Sequence, residues 1–115
     1  MPDRIFAIDI VVPVYNEGAN IEKTLDSIEK NLKNVDPLSA KFQIVIVYDF
    51  EEDNTLPVVK KIQSQYAFPI VFLLNPIRGV LNAIKTGLLK SKADYILITM
   101  ADMSDDYSIF PDLVI

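Results

Sequence analysis

Acidic and amide side chains collect in four short stretches: Asn16-Glu17; Asp49 with Glu51, Glu52 and Asp53; Asn75 with Arg78; and Asp102 with Asp105 and Asp106. Carboxylates brought together from separate segments repel one another unless a cation or a basic ligand group neutralises them. These residue types suit an oxygen-liganded ion such as Mg²⁺ or Mn²⁺ that bridges one or two carboxylates to a diphosphate. Taken singly, each suits a solvated loop or the positive end of a helix dipole equally well. The chain has no Cys and no His, which excludes disulfides, thiol nucleophiles, imidazole bases, Ser-His-Asp triads and Cys/His zinc sites.

The polar stretches matter because of what precedes them. Ile5 to Val14 and Phe42 to Tyr48 are nearly unbroken apolar runs rich in Ile and Val, as strands buried on both faces should be, and Ile70 to Leu74 and Tyr95 to Thr99 are shorter runs of the same kind. Between the first two, Ile21, Leu25, Ile28 and Leu32 recur at helical spacing opposite Glu22, Lys23, Asp26, Glu29 and Lys30, which predicts an amphipathic helix. A second helix is expected from Asn54, as N-cap, with Pro57 in its first turn and Val59, Ile62 and Tyr66 inward. Leu81, Ile84 and Leu88 mark a third, with the small residues Ala83 and Gly87 on a neighbouring face. A further helix is expected to begin near Pro111.

Strands alternating with helices imply right-handed crossovers and a parallel sheet. The expected fold is therefore α/β: an open, mainly parallel, Rossmann-like sheet with helices on both faces, forming one domain over residues 1–115 that is incomplete at its C-terminus. Ligands of such sheets bind beyond the carboxyl ends of the strands, where all four polar stretches fall. The 115 residues are half hydrophobic and 23% charged, with net charge -5, enough for a packed core and unsuited to a nucleic-acid backbone. The only glycines are Gly18, Gly79 and Gly87, so neither a dinucleotide fingerprint nor a P-loop is present. The first strand ends in Pro13, Val14, Tyr15 and Asn16, without the acidic pair of a receiver domain or the basic Gly-rich loop of a nucleotidyltransferase. No signal peptide or spanning helix is recognisable. The expected location is cytoplasmic, with any membrane association arising through segments outside this chain.

Four pieces in order, VVPVYNE at Val11 to Glu17, Asp49 followed by Asp53-Asn54-Thr55, RGVLNAIKTG at Arg78 to Gly87, and ADMSDD at Ala101 to Asp106, resemble the family 2 inverting glycosyltransferases of the GT-A fold. Among these the polyprenyl-phosphate sugar transferases are most similar. The resemblance covers nearly all of this chain but only the N-terminal, nucleotide-binding half of such an enzyme. It implies a UDP- or GDP-linked sugar donor, a divalent metal (Mg²⁺ or Mn²⁺) and an acceptor such as a polyprenyl phosphate. By the same resemblance Pro13, Tyr15 and Glu17 would lie against the nucleoside, Asp49 would receive a base N–H, Arg78 would meet the diphosphate, and Asp102, matching the second Asp of the family's D-x-D, would hold the metal. The catalytic base is expected beyond residue 115.

This sequence departs from the family at three places. Tyr48 replaces the first Asp of an acidic pair, Phe50 and Glu51 replace Gly and Ser, and Met100 stands where the first Asp of D-x-D is expected. Each carboxylate so lost removes a ribose contact or a metal ligand, which leaves a second reading: a non-catalytic nucleotide-binding or assembly module that keeps the fold with a degenerate site.

Overall fold

A computed structural model describes residues 5–33 and 40–100. Strand β1 (Phe6–Pro13) leads to helix α1 (Ile21–Leu32), β2 (Ala40–Tyr48), α2 (Thr55–Ile62), a short 3-10 turn (Gln63–Gln65), β3 (Ile70–Leu74), α3 (Val80–Lys90) and β4 (Tyr95–Ile98). The four strands form one parallel sheet in the order β3-β2-β1-β4. The expected α/β architecture is thus observed. The helix anticipated near Pro111 lies outside the described residues.

Strand order decides which face each helix covers. The first two crossovers step outward from β1 to β2 to β3, so α1 and α2 lie on one face. The third returns across the sheet to place β4 on the far side of β1, and a right-handed return puts α3 on the opposite face. Side chains of β1 and β2 divide accordingly. Ile10, Val12, Ile44 and Ile46 meet Ile21, Leu25, Ile28, Val59 and Ile62 in the larger core, while Val11, Val45 and Val47 meet Ala83 in the smaller one. With both faces covered, the two central strands are apolar almost throughout, as their sequences predict.

The predicted stripe of α1 is the buried one, and Val59 and Ile62 of α2 also point inward. Tyr66 lies beyond α2; its ring packs on Phe68 and its hydroxyl donates to Asp26 Oδ1 at 2.7 Å. Burial and that carboxylate push the Tyr66 phenol well above its ordinary value.

The third helix differs from expectation. Its buried residues are Ala83 and Gly87, whereas Leu81 and Leu88 are exposed. The reason is distance: a Cβ at position 87 would lie 2.6 Å from Val11 Cγ1, so the helix approaches β1 more closely than any larger residue permits. Small side chains form the packing face, and the leucines are turned outward.

That contact yields a test. In a helix interior alanine is ordinarily favoured over glycine by about 1 kcal/mol, but overpacking costs about 1–3 kcal/mol, so Gly87→Ala is expected to lower the free energy of unfolding in urea by about 1 kcal/mol net. Combined with Val11→Ala, it should cost less than the sum of the two single changes. A gain in stability from Gly87→Ala alone would contradict the close approach.

Candidate functional site

The sheet reverses its direction of progression between β1 and β4, and a cleft of about 290 Å³ opens beyond the carboxyl ends of the strands there, lined by Pro13, Tyr15, Glu17, Asp49, Arg78 and Met100 together with Val14, Gly79, Val80 and Ala83. This is the switch-point crevice where open α/β sheets bind ligands. Five of the six residues anticipated from the sequence line this one cleft. The sixth, Asp102, lies outside the described residues; Met100, two positions earlier, lines the cleft.

Two hydrogen-bonded loop systems shape the cleft. In the first, the turn after β1 is clamped to the start of α2. Asp53, 1% exposed, accepts from the backbone N–H of Asn16 at 3.0 Å and of Thr55 at 2.8 Å. Thr55 Oγ1 accepts from Glu17 N–H, Asn54 Oδ1 accepts from Gly18 N–H, and Asn16 Oδ1 accepts from Asn54 N–H. Asn16 takes a left-handed conformation, φ 50°, which Asn tolerates better than most residues. Asn54 therefore occupies the predicted N-cap position but makes no side-chain cap bond; its amide holds the neighbouring loop, and Asp53 caps the helix through Thr55. The result fixes Tyr15 and Glu17 at the cleft.

The second system joins the ends of β2 and β3 to α3. Asp49 accepts from Asn75 Nδ2 at 2.8 Å and from Gly79 N–H at 3.3 Å. Asn75, buried, also donates to the Gly79 carbonyl and accepts from Thr86 Oγ1. Gly79, with φ 122°, turns the chain into α3 through a conformation that side-chain-bearing residues rarely adopt. Each Asp49 oxygen keeps a second lone pair, so the carboxylate can serve the loop and still face a ligand.

Above these loops lies an aromatic and cationic layer. The Tyr15 ring, 62% exposed, meets Phe50 edge-on at 5.7 Å between centroids, and the Arg78 guanidinium lies 5.2 Å from the same Phe50 ring. Phe50, where the family pattern has Gly, thus connects two cleft residues from behind.

The other departures separate in space. Tyr48 packs against the larger core and its hydroxyl donates to Glu51 Oε1 at 3.4 Å; burial, then Glu51, push its phenol up, so it stays neutral. Met100, by contrast, lines the cleft itself. Among the described residues no group of three or more carboxylates is placed to hold a metal ion, and Glu51 and Glu52 lie outside the cleft lining. The convergence of carboxylates read from the sequence thus reduces, within the described residues, to Glu17 and Asp49. Sequence reasoning missed the structural roles of Asp53, Asn75 and Phe50. The Asp-x-Thr spacing of Asp53 and Thr55, a helix-capping pattern, was the available signal for the first.

The clamp predicts a stability effect. Asp53→Ala strands two backbone donors, at about 1–3 kcal/mol for a buried one, and is expected to lower the unfolding free energy by about 2–3 kcal/mol. Asp53→Asn, which retains one acceptor oxygen, should fall between. Urea titration with amide exchange at Asn16 and Thr55 checks both; a loss under about 0.5 kcal/mol for Asp53→Ala would remove Asp53 from this role.

Comparison with known proteins agrees with this geometry. Residues 9–114 match the model of glycosyl transferase family 2. The chain is 31% identical over 114 residues to an undecaprenyl-phosphate 4-deoxy-4-formamido-L-arabinose transferase of Pseudomonas savastanoi pv. phaseolicola, covering 98% of this chain and 33% of that protein. It is 35% identical over 109 residues to dolichyl-phosphate beta-glucosyltransferase ALG5A of Trichomonas vaginalis, covering 89% and 33%. Among solved structures, the mannosyltransferase PcManGT from Pyrobaculum calidifontis in complex with GDP-Man and Mn²⁺ superposes with a TM-score of 0.66 at 25% identity, covering 89% of this chain and 30% of that one. The chain spans about a third of the length of these relatives. With its parallel sheet, its switch-point cleft and a family match running through nearly every residue, this chain belongs to glycosyl transferase family 2.

Proposed function

We propose that this chain is the donor-binding part of an inverting glycosyltransferase, and that the cleft between β1 and β4 takes the nucleoside diphosphate of a UDP- or GDP-linked sugar. One observation carries the reading: Tyr15, Glu17, Asp49 and Arg78, delivered by three different strand ends, line a single cleft at the switch point. The exposed Tyr15 ring offers a face to the base beside the apolar surface of Pro13 and Val14. The Glu17 and Asp49 carboxylates accept hydrogen bonds from base N–H or ribose hydroxyls. Arg78, held over Phe50, supplies positive charge for the diphosphate, and the N-terminus of α3 at Gly79 adds its dipole at the same wall.

The metal enters through the solved neighbour, which holds Mn²⁺ with GDP-Man. Asp102, the one acid matching D-x-D, would hold a divalent ion against the donor diphosphate. Such an ion, when bound, neutralises charge developing on the departing nucleoside diphosphate. The relatives named for undecaprenyl and dolichyl phosphate favour a polyprenyl phosphate acceptor, attacking the anomeric carbon from the face opposite the leaving group. Acceptor site and catalytic base belong to regions of such an enzyme beyond residue 115.

Met100 in the cleft lining favours the second reading, a non-catalytic nucleotide-binding or assembly module with a degenerate site. Calorimetric titration with UDP and GDP, each with and without Mn²⁺, separates the donor site from an assembly module that binds no nucleotide. The donor-site reading predicts metal-dependent binding of one nucleotide, weakened sharply by Asp102→Asn and by about 1–3 kcal/mol in Tyr15→Ala through lost base stacking. A folded chain that binds neither nucleotide would contradict the donor-site reading and favour the assembly module.

A further inference from the structure

Phe50 occupies the junction of the two loop systems that shape the cleft. It follows Asp49, whose carboxylate accepts from the Gly79 N–H, and its own carbonyl accepts at 3.2 Å from the N–H of Asp53, the residue that clamps the turn after β1. Its backbone is thereby joined to both systems. Its part-buried ring then meets one exposed side chain from each side of the cleft: the Tyr15 ring, 5.7 Å away with 63° between the planes, and the Arg78 guanidinium at 5.2 Å.

Both contacts hold a group without using it up. An edge-to-face pair fixes the orientation of a ring, yet Tyr15 stays 62% exposed, so surface remains for a ligand. A carboxylate beside Arg78 would occupy its N–H groups and cancel its charge, whereas an aromatic face attracts the cation and has no charge to cancel it with. The distinction matters because Arg78 is the one basic side chain among the described residues lining the cleft, against the carboxylates of Glu17 and Asp49. Left loose in water, Tyr15 and Arg78 would each lose rotamer freedom on meeting a ligand. A glycine at position 50, as in the family pattern, could restrain neither.

We propose that Phe50 is a positioning residue, which holds Tyr15 and Arg78 in one shared arrangement so that the base and the diphosphate of a nucleotide are met together. The inference rests on the nucleotide reading of the cleft and adds to it a residue that acts through two others. Its content is cooperation between the two ends of the ligand. Removing the ring should loosen both contacts at once, and a nucleoside, which lacks the diphosphate, should sense only the Tyr15 part.

The test compares Phe50→Leu, which keeps apolar bulk without a π face, with Phe50→Tyr, which keeps the ring. Affinities for UDP, GDP, uridine and guanosine in the presence of Mg²⁺ are read from chemical-shift titrations. Phe50→Leu is expected to weaken the nucleotide that binds by about three- to ten-fold, the cost of ordering side chains that are no longer pre-set. The matching nucleoside should weaken by less, and Phe50→Tyr should recover most of both losses. In an Arg78→Gln background, Phe50→Leu should weaken the nucleotide only as much as it weakens the nucleoside, because the Phe50–Arg78 coupling is already gone. A role confined to loop stability would give the same loss in both backgrounds and for both ligands, and that result would overturn the proposal. Nucleotide affinity unchanged by Phe50→Leu would also overturn it while leaving the nucleotide reading intact; a parent chain that binds neither nucleotide would remove that reading itself. One arm needs no ligand. In the free chain the Phe50 ring current should hold the Arg78 Nε–H resonance upfield of its position in Phe50→Leu, and coincident resonances would contradict the arrangement directly.

Discussion

The buried carboxylate of Asp53 is the constraint on which the arrangement of the cleft depends. It ties the N–H of Asn16, just beyond β1, to the N–H of Thr55, at the first turn of α2. Parallel strands leave their carboxyl ends unconnected, since each chain segment must cross the whole sheet before it returns. Something else has to hold neighbouring loops in register, and here side-chain oxygens of Asp53, Asn54 and Thr55 take three successive N–H groups of the Asn16-Glu17-Gly18 turn. The signature at these positions therefore reads as architecture supporting a site. Its residues act through Tyr15 and Glu17.

The opposite wall is built by contact distance. Gly87 lets α3 lie against Val11, and the Asp49, Asn75 and Gly79 bonds then fix the loop that enters the helix. With the backbone so close, the helix cannot use leucines for packing, and their outward display follows directly. One steric choice in the interior thus shapes both the cleft wall and the character of the external surface.

Much of this was legible in the sequence. Continuous Val and Ile runs separated by helical stripes identify buried parallel strands, and parallel topology by itself places the strand-end residues along one edge. What could not be read was which face of α3 packs, because hydrophobicity pointed to Leu81 and Leu88 while the deciding quantity was the gap left by β1. Asp53 was likewise ambiguous: a carboxylate in an acidic loop gives no sign of being buried until the partner turn is seen. Phe50 looked like a loss of the family's small residue, yet its ring links Tyr15 to Arg78. The two acidic substitutions also part company, since Tyr48 joins the core and only Met100 enters the cleft.

The central claim is a location, and a residue-resolved measurement tests it most directly. In amide ¹⁵N–¹H spectra of the chain titrated with UDP or GDP in the presence of Mg²⁺, the account predicts shifts concentrated at Tyr15, Glu17, Asp49, Arg78 and Gly79. Amides at the amino ends of the strands, such as Lys41 and Phe42, should stay still. Shifts centred at that opposite end, or no change with either nucleotide in a chain whose spectrum is well dispersed, would contradict it.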